Sequence, residues 1–162
     1  MIFDTPLSPL EKNALWIIMD PWYPTPVVQD ISDHPNLDDI NMVTMKKIVS
    51  YVHRLKHAVV SMDTGMNIYH ELRHISNIGY DYDMLEQYIL THGIRDIVYM
   101  GFHHGRCITD RDTGLMAVKT KLKDSVNLWV KRDMVGIFPG DDPAEKDIKT
   151  LQYANFISSS CI

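Results

Sequence analysis

The sequence predicts an α/β protein, a single three-layer α-β-α domain built around a mostly parallel, doubly wound sheet. Three observations carry this prediction. Short continuous apolar runs recur, as strands buried on both faces require. Segments with apolar residues at helical spacing separate them. The runs break at aspartate or glycine, as strands do on entering turns. Strands alternating with helices pair in parallel through right-handed crossovers, which places helices on both faces of the sheet.

Ala14 to Met19 (ALWIIM) is the first such run, ending at Asp20 and followed by the breakers Pro21, Pro24 and Pro26. It reads as a central strand leading into a rigid loop. From Leu37 to His57, Ile40, Val43, Met45, Ile48, Val49, Val52 and Leu55 recur at helical spacing, with Asp38 and Asp39 first and Lys56 and His57 last, in accord with a helix macrodipole. Ala58 to Met62 is a second strand, ending at Asp63. Met84 to Ile89 reads as a helix with Gly93 as its carboxyl stop. Ile97 to Met100 is the next strand, and Gly105 to about Lys123 a helix weakened by Gly114. Asn127 to Val130 reads as a strand and Ala144 to Phe156 as a closing helix. No internal repeat or low-complexity segment interrupts the chain.

A chain of 162 residues, 45% hydrophobic and 23% charged, suits one core, so residues 1–162 are expected to form one domain. A formal net charge of -5 and a pI near 5.8 argue against a nucleic-acid partner, which calls for a basic face. No run of about 20 apolar residues and no signal-like amino terminus is visible, so the expectation is a soluble, cytoplasmic protein with no membrane partner. The two cysteines lie far apart, and Cys161 sits in the polar tail SSSCI, so no disulfide framework is expected.

The stretch DIVYMGFHHGRCI, Asp96 to Ile108, carries the chemistry. It places one thiol just beyond the carboxyl end of a strand, the rim on which ligands bind in open α/β sheets. A helix opening at Cys107 would lower the thiol pKa and favour the thiolate. Cys107 is therefore a candidate nucleophile, although buried cysteines commonly serve only as small hydrophobes. Asp20, at the end of another strand, lies on the same rim and can take and return the thiol proton if partial burial keeps it basic. Its alternative role is that of a turn residue.

At these residues the sequence resembles the isochorismatase-like cysteine hydrolases, the superfamily that includes nicotinamidases, N-carbamoylsarcosine amidases and isochorismatases. ALWIIMD matches the motif of an apolar strand ending in aspartate. VYMGFHHGRCI matches the strand, glycine, and cysteine six residues later, and MLEQYILTHGIRDIVYMG matches the helix and strand between them. The similarity spans Ala14 to Thr113. It implies that Cys107 attacks an amide-type carbonyl, that Asp20 is the proton carrier, and that the backbone N–H groups of His103 and Cys107 form the oxyanion site, with a cis peptide between Phe102 and His103. It further implies a C–N bond of a small molecule as substrate, no cofactor, and a homodimer or homotetramer.

The sequence departs from that pattern at the third catalytic residue. Where the family has a lysine, counting back six from Tyr80 arrives at His74, with Arg73 beside it, and no lysine lies between Lys56 and Lys119. Arg73 supplies a permanent cation, and His74 does so only when a neighbour such as Asp20 keeps it protonated. Asp110, Arg111, Asp112 and Gly114 also replace much of the small, apolar helix the family carries after its cysteine. Trp22, Tyr23, His104 and Tyr80 are candidates for gripping a flat substrate.

Two alternatives stand beside the hydrolase reading. One is a catalytically inactive relative that binds a ligand or partner, favoured by the missing lysine. The other is a zinc hydrolase in which H-E-L-R-H puts His70 and His74 on one helical face with Glu71 as base. A third ligand is not obvious, since Glu86 is closer in sequence than zinc peptidases usually place theirs, and the resemblance offers Asp63, His70 and His74 as a related set. The expectation remains that no metal is bound.

Overall fold

The computed structural model describes residues 7–22 and 37–157, the first four residues of the second helix by their backbone alone. Five strands form one sheet in the order β2-β1-β3-β4-β5, and every neighbouring pair is parallel. The strands are β1 (Leu15–Met19), β2 (His57–Ser61), β3 (Asp96–Phe102), β4 (Asn127–Gly136) and β5 (Asn155–Ile157). The helices are α1 (Pro9–Asn13), α2 (Leu37–Val52), α3 (Tyr82–His92), α4 (Cys107–Asp110), α5 (Leu115–Leu122) and α6 (Pro143–Leu151).

All five residues of β1 are buried, and their alternation separates two cores. Leu15, Ile17 and Met19 pack with Leu85 and Ile89 of α3 and Leu115 and Val118 of α5, whereas Trp16 and Ile18 pack with Met45, Ile48 and Val52 of α2. Helices thus cover both faces, as the continuous apolar runs predict. Because β1 is bordered by β2 on one side and β3 on the other, the order reverses between β1 and β3. That switch point is where open α/β sheets bind ligands.

Local signals explain most boundaries. Asp81 caps α3 by accepting from the N–H groups of Asp83 and Met84, and Gly93 ends it at φ 62, the left-handed conformation glycine adopts freely. Ser8 and Glu11 form a capping box on α1, a short helix outside the sequence expectation. Glu11 is buried and also pairs with Arg54 at 2.7 Å, so one carboxylate both caps α1 and ties it to the end of α2.

Three boundaries differ from expectation. The helix expected from Gly105 to Lys123 is broken into α4 and α5 by residues 111–114, a turn tight enough that a Cβ at Gly114 would come within 2.6 Å of the Ile108 carbonyl oxygen. β4 runs six residues past Val130, through a register shift against β3 and a buried Lys131 paired to Asp133 at 2.7 Å. The closing helix stops at Leu151, where the Tyr153 and Ala154 amides both fold back on the Thr150 carbonyl, and Asn155–Ile157 then adds to β4 as an edge strand. Pairing with an available strand edge outweighs local helical preference there. No helix of the described residues is long and apolar enough to cross a membrane.

Candidate active site

Asp20 ends β1 at φ 50, a left-handed conformation that aspartate tolerates better than most residues. Its N–H donates to the Ser61 carbonyl at 2.9 Å, and its carbonyl accepts from the Trp22 N–H at 2.8 Å, so the strand end is held from both sides. Gly101 lets the adjacent strand approach: at φ 106 a side chain is strained, and a Cβ would fall 2.2 Å from the Met19 carbonyl oxygen. Beyond Gly101, the Phe102–His103 peptide is cis, as the resemblance implies, and the His104 N–H bonds the Gly136 carbonyl at 2.8 Å. Cys107 opens α4, so its own N–H belongs to a first helical turn, whose amides have no intrahelical acceptor.

These constraints bring three side chains together around the Asp20 carboxylate, which is 1% exposed. The Cys107 thiol lies beside it, close enough for each group to shift the other's titration. The Tyr80 hydroxyl donates a short hydrogen bond to Oδ1. Arg111 Nη2 lies 3.4 Å from Oδ2, and the Arg111 guanidinium is stacked 4.3 Å from the centroid of the Tyr80 ring. Burial pushes the Asp20 carboxyl above its ordinary range, while hydrogen bonds from Tyr80 and Cys107 and the Arg111 charge pull in the opposite direction. A carboxylate so placed is more basic than an exposed one and able to accept a thiol proton.

Burial and the adjacent Asp20 charge push the Cys107 thiol up, Arg111 and the His103 N–H pull it down, and the balance is upward. The sequence argument that a helix start lowers this thiol is therefore outweighed: α4 has only four residues, and burial of the sulfur, reinforced by the Asp20 charge, is the stronger influence. Cys107 accordingly rests as a thiol. The His103 N–H that reaches the sulfur and the first-turn N–H of Cys107 are the two donors the resemblance names for the oxyanion.

The cation of the site is Arg111. Arg73 and His74 are exposed, and Arg73 Nε instead reaches the Ile68 carbonyl at 3.5 Å. His74 lines a separate cavity of about 350 Å³ with Val52, Lys56 and Ala58. The signal for Arg111 was available, because it stands one helical turn after Cys107, a spacing that puts two side chains on one face. His103 and His104 are buried. The His103 ring bonds the Asn41 side chain at 3.1 Å, packs edge-on to Phe138, and has its pKa lowered to about 4 by burial, which makes it a neutral imidazole. The His104 ring turns away to Asp147 of α6 at 2.7 Å and anchors the loop. Trp22 is half-buried with its ring 6.0 Å from His103, and Tyr23 lies outside the described residues.

His70 to Leu72 form a single 3-10 turn, so His70 and His74 do not share an α-helical face. His70 is exposed, 3.5 Å from Glu71, and Asp63 is exposed with its carboxylate on the Gly65 N–H. Glu86 stands on α3 near the Tyr82 hydroxyl. Among the described residues no group of three or more His, Cys, Asp or Glu side chains is placed to hold a metal, which removes the geometric basis of the zinc-hydrolase alternative.

No family model and no curated protein matches this sequence. Solved structures do match its fold. An isochorismatase-like hydrolase from Alkaliphilus metalliredigens superposes with a TM-score of 0.57 at 10% identity, covering 90% of this chain and 92% of that one. YcaC from Pseudomonas aeruginosa, solved with hexane-2,5-diol and covalent acrylamide, gives 0.56 at 12% identity over 90% of this chain and 76% of the other. The YcaC gene product of Escherichia coli, an octameric hydrolase of unknown specificity, gives 0.55 at 9% identity over 90% and 75%. At these identities the likeness is one of fold, and the chain has the three-layer architecture of the isochorismatase-like hydrolases.

Proposed function

We propose that the protein is a cysteine hydrolase of the isochorismatase-like superfamily that cleaves a C–N bond in a small amide-type substrate. One observation carries the reading: a buried carboxylate lies beside a thiol and is paired on its other side with a permanent cation. In this reaction Cys107 Sγ attacks the carbonyl carbon as Asp20 takes the thiol proton. Charge on the carbonyl oxygen is met by the His103 and Cys107 N–H groups. Asp20 returns the proton to the departing nitrogen, leaving a thioester. Water, deprotonated by Asp20, then attacks the thioester and releases the acid and the thiol. Arg111 keeps Asp20 ionised and favours negative charge on sulfur as the proton leaves.

A single domain over residues 1–162 and a homo-oligomeric assembly fit this reading, the latter because one structural neighbour is an octamer. The test is release of ammonia or amine from a panel of small amides and ureido compounds. Turnover by the wild-type protein and its loss in a folded Cys107→Ala variant are expected; equal turnover by that variant would overturn the proposal. The second reading, ligand binding without turnover, is favoured by the raised thiol pKa and predicts binding of panel members with no product.

A further inference from the structure

We propose that Tyr80 is a positioning residue of the Cys107 site, its hydroxyl fixing the Asp20 carboxylate in the orientation and charge state that serve the thiol. The proposal rests on the cysteine-hydrolase reading above. It begins from the direction of one proton. The phenol donates its lone proton to Asp20 Oδ1. The second oxygen, Oδ2, faces Arg111. With different donors on its two oxygens, the carboxylate plane cannot rotate without breaking one of them.

The same tyrosine holds the cation. Arg111 lies over the Tyr80 ring at 4.3 Å while its Nη2 reaches Asp20, so the ring is the platform that aims the guanidinium. Three groups face Asp20: Tyr80 from the loop before α3, Cys107 from the start of α4, and Arg111 from the loop after it. Burial, the Asp20 charge and the hydrogen bond to it all push the phenol far up, so Tyr80 stays a neutral donor and does not itself exchange protons. Its contribution is to favour the ionised form of a carboxylate that burial drives toward protonation.

The test is the pH dependence of Cys107 alkylation by iodoacetamide, which needs no substrate, in wild type, Tyr80→Phe, Asp20→Asn and the double variant. Phenylalanine keeps the ring beneath Arg111 and removes only the hydroxyl. The inflection due to Asp20 is expected to move up by about one pH unit in Tyr80→Phe, and the double variant to superpose on Asp20→Asn. An unmoved inflection, or the same change in both backgrounds, overturns the proposal. If Tyr80→Phe does not fold, 3-fluorotyrosine at position 80, a stronger donor, should move the inflection downward, and no movement again overturns it. Failure of the underlying reading looks different: wild type and Asp20→Asn then give the same profile.

Discussion

Asp20 and Arg111, 91 residues apart in the chain, meet with Nη2 at 3.4 Å from Oδ2 at the mouth of the sheet's switch point. Asp20 is sealed from solvent on every other side, whereas the Arg111 side chain is 39% exposed. A buried carboxylate beside a thiol is thereby given a counter-charge whose outer edge remains in solvent.

Removing that counter-charge should disable the pair without unfolding the protein. For Arg111→Ala the thiol and carboxyl pKa values both rise, by about one unit or more, because Arg111 lowers each of them. A loss in kcat/KM on the order of 100-fold follows, and Arg111→Lys should recover part of it by restoring charge without the planar fork. Steady-state kinetics on any substrate found in the amide panel, together with thermal melting, check both points.

The acid side of the pH-rate profile should report Asp20. Burial places its folded pKa above the ordinary carboxylate value of about 4, so kcat/KM should begin to fall at a higher pH than an exposed aspartate allows. Below that point Asp20 is protonated and can no longer take the thiol proton. The raised thiol pKa keeps Cys107 protonated through neutrality, so no second loss is expected there as pH increases. A kcat/KM profile from pH 3 to 9 measures both features.

Gly101→Ala should be severely destabilising. A Cβ at this position meets Met19 O at 2.2 Å and Met19 N at 2.8 Å, on a backbone already at φ 106. Separating two strands in the middle of a sheet to relieve that clash costs roughly 3 kcal/mol or more. Chemical denaturation should show the loss, and Gly93→Ala, where nothing lies within 4 Å, should be much milder.

Much of this site was legible in the chain because its two ends are marked by strand termini. ALWIIMD and VYMG carry continuous apolar runs that read as strands buried on both faces, and the parallel pairing of those strands brings Asp20 and the loop leading to Cys107 to one rim. The cation was not legible by counting toward the third helix, because that loop turns Arg73 and His74 outward. The signal for the cation lay instead after the cysteine, where Arg111 follows Cys107 by one helical turn and comes to lie over the Tyr80 ring. The β5 edge strand was unreadable for a different reason, since three residues carry no periodicity and only the exposed edge of β4 makes them a strand.

Asp20 and Cys107 are expected to titrate as one pair. The most direct measurement is the rate of Cys107 alkylation by iodoacetamide against pH, in wild type and in Asp20→Asn. The wild type should show an inflection due to Asp20 that vanishes in Asp20→Asn, leaving the single ionisation of a thiol beside Arg111. Two superimposable profiles would show a cysteine indifferent to its carboxylate, and would contradict the account.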